Sequence, residues 1–226
     1  MGRIVDYNLT EELEHGVYVS LLTGEVAKEL GLSGPVVYDL KTAALLHDIG
    51  KLRLTNYLYG NEEIVSPLVI EEMKYVRMHP ILSCEILQAC GYNSFILESV
   101  CCHHEDFDGS GFPSNLVGEN IPLGARIIRV CDVFAALTTD RPYRKRFEID
   151  EAISLMIDEI KHFDMKVFLA FQKVVHRVGT SYRIKLAASD ADLLNRYSLP
   201  DNRLLEEVRK HYEDMEMPET GTRELS

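Results

Sequence analysis

Apolar residues in this chain recur three and four positions apart, and before about residue 180 they nowhere settle into alternation. That spacing puts them on one stripe of an α-helix, whereas a half-buried strand needs a period of two. A chain so patterned buries its apolar surface by packing helix on helix. Leu13, Val17, Leu21 and Leu22 mark the first stripe, in a helix expected over residues 10–30 with Gly31 as its stop. Pro35 suits the first turn of the next helix, where its missing N–H is not needed. Val36, Val37, Leu40, Ala43 and Ala44 carry that helix up to His47. Further helices are expected over 67–90, with a break that Pro80 forces after His79, and over 94–104, 123–137 and 151–161. Asp164 reads as the N-cap of a last one through Phe168 and Phe171. Residues 106–124 are rich in Gly, Pro, Asn and Asp and must form a loop. The fold class expected is all-α, a compact bundle of about seven helices over residues 1–180. Residues 181–226 form an appendage without an assigned role: a short strand over 181–186, a charged helix over 204–212 and a disordered end.

Composition removes several classes of function. A net charge of −12 argues against a nucleic-acid polymer or an anionic membrane as partner, since both select a basic face. No apolar run approaches the roughly 20 residues that cross a bilayer. Residues 1–10 lack a basic stretch followed by an apolar run, and the five cysteines contain no Cys-x-x-Cys pair. Reduced thiols and a cytoplasmic location are expected. A small anionic substrate remains compatible, because bound cations and a local basic cluster reverse the sign inside a cleft.

Histidine and aspartate collect at the expected helix ends. His47 and Asp48 close one helix, His79 precedes Pro80, His103 and His104 close another, and Asp132 lies in the helix after the loop. Helix ends can converge in a bundle core, where facing helices build metal sites. Imidazole and carboxylate together suit Fe, Mn or Zn, and no cysteine has the spacing of a structural zinc site. Near the N-terminus Glu11 and His15 share a helix face. Asn8 and Glu11 also have the spacing of a capping box, so Glu11 has two readings, and His15 has the further reading of a solvated side chain.

The order of the blocks carries more than any one of them. HDIGK stands at 47–51, EEMKYVRMHP at 71–80, HHEDFDGSGFP at 103–113 and GENIPLGARIIRVCDVFAALTTDRPYRK at 118–145. In that order they resemble the HD superfamily of metal-dependent phosphohydrolases, specifically its HD-GYP branch, over residues 11–171. The resemblance implies the HD-domain type of helical bundle. It implies metal-ligand roles for His47, Asp48, His79, His103, His104 and Asp132, with Asp48 bridging. Glu11 and His15 match the members that bind a third ion. The implied cofactors are two or three divalent ions, Fe or Mn ahead of Zn. Lys51, Arg141 and Arg144 would contact substrate phosphates, although many members carry lysine where Arg144 stands. With Lys145 and Arg146 the two arginines form the densest basic cluster of the chain, for which a solvated charge run is the other reading. The naming motif departs at Phe112, which keeps the ring of the usual tyrosine and loses its hydroxyl.

The activity implied is hydrolysis of a cyclic dinucleotide, c-di-GMP to pGpG and then GMP, by hydroxide bridging the ions, with Asp48 and Lys51 in the catalytic group. Diguanylate cyclase (GGDEF) domains are the partner that the resemblance implies. Two other readings stay open. One is an HD phosphohydrolase acting on another nucleotide, such as guanosine tetraphosphate; the other is a signalling module that binds without turnover.

Overall fold

A computed structural model describes residues 9–52, 76–140 and 144–177, with side chains from residue 13 onward. Among the described residues seven α-helices follow in order: α1 (Leu9–Glu29), α2 (Gly34–Leu46), α3 (His79–Ala89), α4 (Ser94–Cys101), α5 (Leu123–Thr138), α6 (Ile149–Asp158) and α7 (Met165–His176). Single 3₁₀ turns occur at Gly118–Asn120 and Ile160–His162. No strand occurs among the described residues. The all-α expectation is met.

Two helix stops are built alike. Gly31 and Gly91 adopt φ of +76° and +79°, the left-handed region where a side chain is penalised. After α1, Gly31 N–H bonds Lys28 O at 2.9 Å and Leu32 N–H bonds Ala27 O at 3.0 Å. After α3, Gly91 bonds Gln88 and Tyr92 bonds Leu87 in the same pattern. Such paired bonds satisfy the last carbonyls of a helix and turn the chain sharply. At the other ends, Asn93 accepts from Ile96 N–H at 3.0 Å, and Asp164 accepts from Lys166 N–H at 2.8 Å.

The helices pack around α1 and α5. α1 lies along α2 and also touches α5 and α7, while α5 contacts α4, α6 and α7. Val19, Leu22 and Val26 of α1 and Ile127, Ile128 and Cys131 of α5 are fully buried. Phe134 and Phe171 meet edge to face at 5.1 Å between α5 and α7. Burial of each such large side chain stabilises the fold by about 1.5–3 kcal/mol. Gly16 lets α1 and α2 approach, since a Cβ there would lie 2.2 Å from Leu45 O. Ser20 Oγ donates to Lys41 O one turn further on, at 2.8 Å.

The break at Pro80 falls one residue earlier than the sequence suggested. Arg77 and Met78 form a turn and His79 already opens α3, so Pro80 occupies the first turn of the new helix. There its fixed φ suits the helix and its missing N–H costs nothing. The expected strand at 181–186, helix at 204–212 and disordered end, and the capping box of Asn8 with Glu11, lie outside the described residues.

Candidate metal centre

The ends of α2 and α4 and the start of α3 meet the inner faces of α1 and α5 in one buried cluster. Three of its histidines are aimed by the backbone. The ring Nδ1–H donates to the carbonyl three residues earlier: His47 to Ala44 at 2.7 Å, His79 to Val76 at 2.6 Å, His103 to Val100 at 2.6 Å. For His47 and His103 that carbonyl lies in the last turn of a helix, where the carbonyls lack intrahelical partners. A histidine just past a helix end therefore has its ring orientation fixed and turns Nε2 inward, as outer partners do for metal-ligating histidines.

Asp48 stands between two groups of donors. Its Oδ1 lies 3.0 Å from His79 Nε2 and 3.8 Å from His103 Nε2. His104 Nε2 lies 3.1 Å from His79 Nε2. Its Oδ2 lies 3.3 Å from His47 Nε2, which lies 3.6 Å from Asp132 Oδ1. His15 Nε2 reaches the same Asp132 oxygen at 2.9 Å. Asp48, His79, His103 and His104 form one set of donor atoms mutually within 4.8 Å, and His15, His47 and Asp132 form a second.

The cluster is unsatisfied without a cation. His47 Nε2 and Asp48 Oδ1 are buried with no hydrogen-bond partner, although each stands within ion-pair range of an opposite group. Each such atom costs about 1–3 kcal/mol. A divalent ion in either set would accept these lone pairs, so the residues present fit one. Their N/O chemistry suits Fe, Mn or Zn.

The electrostatics agree. Burial disfavours the Asp48 anion, yet His47 and Lys51 outweigh it and hold the carboxyl well below its ordinary range. Burial likewise opposes Asp132, and the hydrogen bond from His15 with the nearby His47 holds it low. Burial alone would depress His47, but Asp48 and Asp132 push it up to about 10. Burial drives His103 down to about 4, with Asp48 only partly opposing, and drives His104 well below the ordinary value. His103 and His104 are thus neutral and ready to ligate at neutral pH.

The other candidate residues are placed unequally. Lys51 Nζ donates to Asp48 Oδ2. Glu11 lies within α1, but its side chain is outside the described residues, as is all of Arg141. Arg144 lies at the end of α5. Its guanidinium donates to Ala136 O at 2.8 Å, Leu137 O at 3.2 Å and Lys145 O at 2.9 Å, and lies over the Phe147 ring. The physical reason is the end of α5, which leaves carbonyls that a guanidinium can satisfy.

Several supporting residues escaped the sequence reading. Ser83 Oγ of α3 donates to His47 O at 2.7 Å and accepts from Gly50 N–H at 2.8 Å, clamping the turn that carries Asp48. Gly50 has no room for a side chain, because a Cβ would lie 2.4 Å from His79 O. Arg129 of α5 donates to Asp106 at 2.9 Å and fixes the start of the loop. Helical period gives no signal for these contacts, which exist only between elements.

The HD domain family matches residues 2–167 of the chain. A cyclic di-GMP phosphodiesterase of Pseudomonas aeruginosa is 39% identical over 76% of this chain and 41% of its own length. A 3′3′-cGAMP-specific phosphodiesterase of Vibrio cholerae is 32% identical over 80% of this chain and 39% of its own. The chain thus spans about two fifths of the length of these curated relatives. The crystal structure of a cyclic GMP-AMP-specific phosphodiesterase of V. cholerae superposes with a TM-score of 0.61 at 19% identity, covering 88% of this chain and 54% of that one. With the ordered sequence blocks and the cluster of histidines and aspartates, these matches establish that the chain belongs to the HD-domain family, in its HD-GYP branch.

Proposed function

We propose that this chain is a metal-dependent phosphodiesterase that opens a cyclic dinucleotide, c-di-GMP or the mixed cyclic GMP-AMP. The observation that carries the reading is the Asp48 carboxylate, whose two oxygens face two different sets of donors. A carboxylate so shared is what a pair of ions a few ångströms apart requires. We assign one ion to Asp48, His79, His103 and His104, and one to His15, His47, Asp132 and the other oxygen of Asp48. Fe or Mn is preferred, and Glu11 is the candidate to complete a third site beside His15. Bound divalent ions supply charge neutralisation of the phosphodiester and a lowered pKa for water.

The chain's own residues do the rest. The Nδ1 bonds keep the Nε2 atoms of His47, His79 and His103 aimed at one place, so these rings need no reorientation when substrate arrives. Lys51, beside Asp48, is positioned to hold a non-bridging phosphate oxygen. Arg141 takes the second phosphate. Arg144 can join it only by leaving its three carbonyls. Linear pGpG is the first product and GMP the second. The five free cysteines favour the cytoplasm. A GGDEF domain is the partner to test against the loop that contains Phe112.

The test is product analysis after anaerobic loading with Fe(II) or Mn(II), with c-di-GMP and 3′3′-cGAMP in parallel. Metal-dependent pGpG or its mixed counterpart, absent with Asp48→Ala, supports the reading. Tight metal binding with no product from either dinucleotide would refute it in favour of a binding module.

A further inference from the structure

Four histidines end their side chains around Asp48, and three of them are held by a backbone carbonyl, as His47, His79 and His103 are. His104 has no such carbonyl among the described residues. Its ring lies instead on Phe112, with centroids 4.8 Å apart and planes inclined by only 18°.

The surrounding chain is built to keep that ring there. Phe112 N–H donates to His104 O at 3.1 Å, folding the loop back onto the helix end. Gly111 makes the approach feasible, since a Cβ would lie 2.1 Å from Asp106 N and 2.5 Å from His104 O. Glu105 is 1% exposed, and its carboxylate accepts from Ser114 N–H at 2.6 Å and Leu116 N–H at 2.9 Å, fastening the loop beyond the ring. The Arg77 guanidinium also lies over the Phe112 ring, 5.3 Å from its centroid.

We propose that Phe112 is a positioning residue for His104. Its ring face sets the plane of the imidazole, the task that backbone carbonyls perform for the other three. An imidazole turns easily about its last torsion, which is broad, so an unsupported ring would sample many directions for Nε2. A flat, fixed neighbour narrows that range. Leucine or methionine fills the space without supplying a plane. The role needs the ring alone, so it is met by phenylalanine where the family has tyrosine.

The inference rests on the cluster being a metal site and not on any substrate, so its test reads metal binding. Metal-free protein is titrated with Mn(II), and Co(II) absorption reports the histidine ligands. Phe112→Leu is expected to weaken the affected site about 10–100-fold, the usual effect of losing an outer partner, and to alter the Co(II) spectrum. Phe112→Tyr is expected to match wild type. Phe112→Met, which keeps the volume, serves if the leucine variant does not fold. In a His104→Ala background, Phe112→Leu should weaken binding no further. Wild-type affinity in both Phe112→Leu and Phe112→Met, equal losses in Phe112→Tyr, or losses that add to that of His104→Ala would each overturn the role. Wild-type protein that bound no Mn(II) would overturn the metal reading and this role with it. Binding without any dinucleotide hydrolysis would overturn only the proposed activity.

Discussion

His79 Nε2 and His103 Nε2 face each other 3.2 Å apart, while the Nδ1 of each is bonded to a carbonyl. Each ring is therefore pinned from outside, with its Nε2 turned into one buried site. A cation there would be ligated by both. Divalent metal at about 100 times its dissociation constant is expected to stabilise the fold by ~2.7 kcal/mol. For a chain of this size that raises the melting temperature by roughly 5–10 °C. Thermal melts with Mn(II) and with EDTA measure it, and coincident curves would exclude a metal site.

Metal binding should release a proton. His47 is raised to about 10, so it is protonated at neutral pH in the metal-free protein and must lose that proton to ligate. Affinity is expected to climb with pH up to about 10. Calorimetric titrations in phosphate and in Tris at one pH should differ by close to the difference between the two buffers' ionisation enthalpies. In the metal-free protein the sign is opposite. The raised pKa contributes stability that is fully present below pH 6.5 and is lost as pH rises through about 10.

Removing the shared carboxylate should cost more than removing an unshared one. Asp48→Ala removes one oxygen from the first donor set and the other that faces His47 of the second, whereas Asp132→Ala touches the second alone. Elemental analysis is expected to find less metal in the first variant than in the second. Activity of Asp48→Ala should fall beyond the roughly 100-fold typical of outer partners. Equal metal content in the two variants would rule out a bridging role.

Ser83 should matter although it bears no ligand. Ser83→Ala leaves the Gly50 N–H and one His47 carbonyl bond without partners in a buried turn. About 1–3 kcal/mol of stability should be lost, read by urea unfolding of the metal-free protein. Gly50→Ala should be worse, because its methyl meets backbone atoms at 2.4 and 2.5 Å. An unfolding midpoint unchanged in both would show that the turn is held elsewhere.

The sequence spoke most clearly where physics is local. Helical period located the helices, and Gly31 and Asp164 ended or began them as their chemistry requires. The candidates His15, His47, Asp48, His79, His103, His104 and Asp132 do converge, across separations as large as 117 residues. Their order along the chain gave that away, since no local rule brings α1 to α5. Contacts between elements left no trace. Ser83, Gly50 and Glu105 look like ordinary surface or turn residues until α3 and the loop are docked. At Arg144 a basic run was visible, but the open end of α5 that takes up its guanidinium was not.

The close crossing of α1 and α2 carries a further consequence. His15 and His47 sit on those two helices with ring centroids 5.4 Å apart, and Gly16, next to His15, rests on Leu45 O. The gap between these two imidazoles is thus gauged by main-chain contact rather than by side-chain packing, and main chain does not repack. A single methyl at residue 16 would act as a shim, forcing the two helices and these rings apart. The spacing of two candidate ligands is calibrated by an atom that the chain lacks.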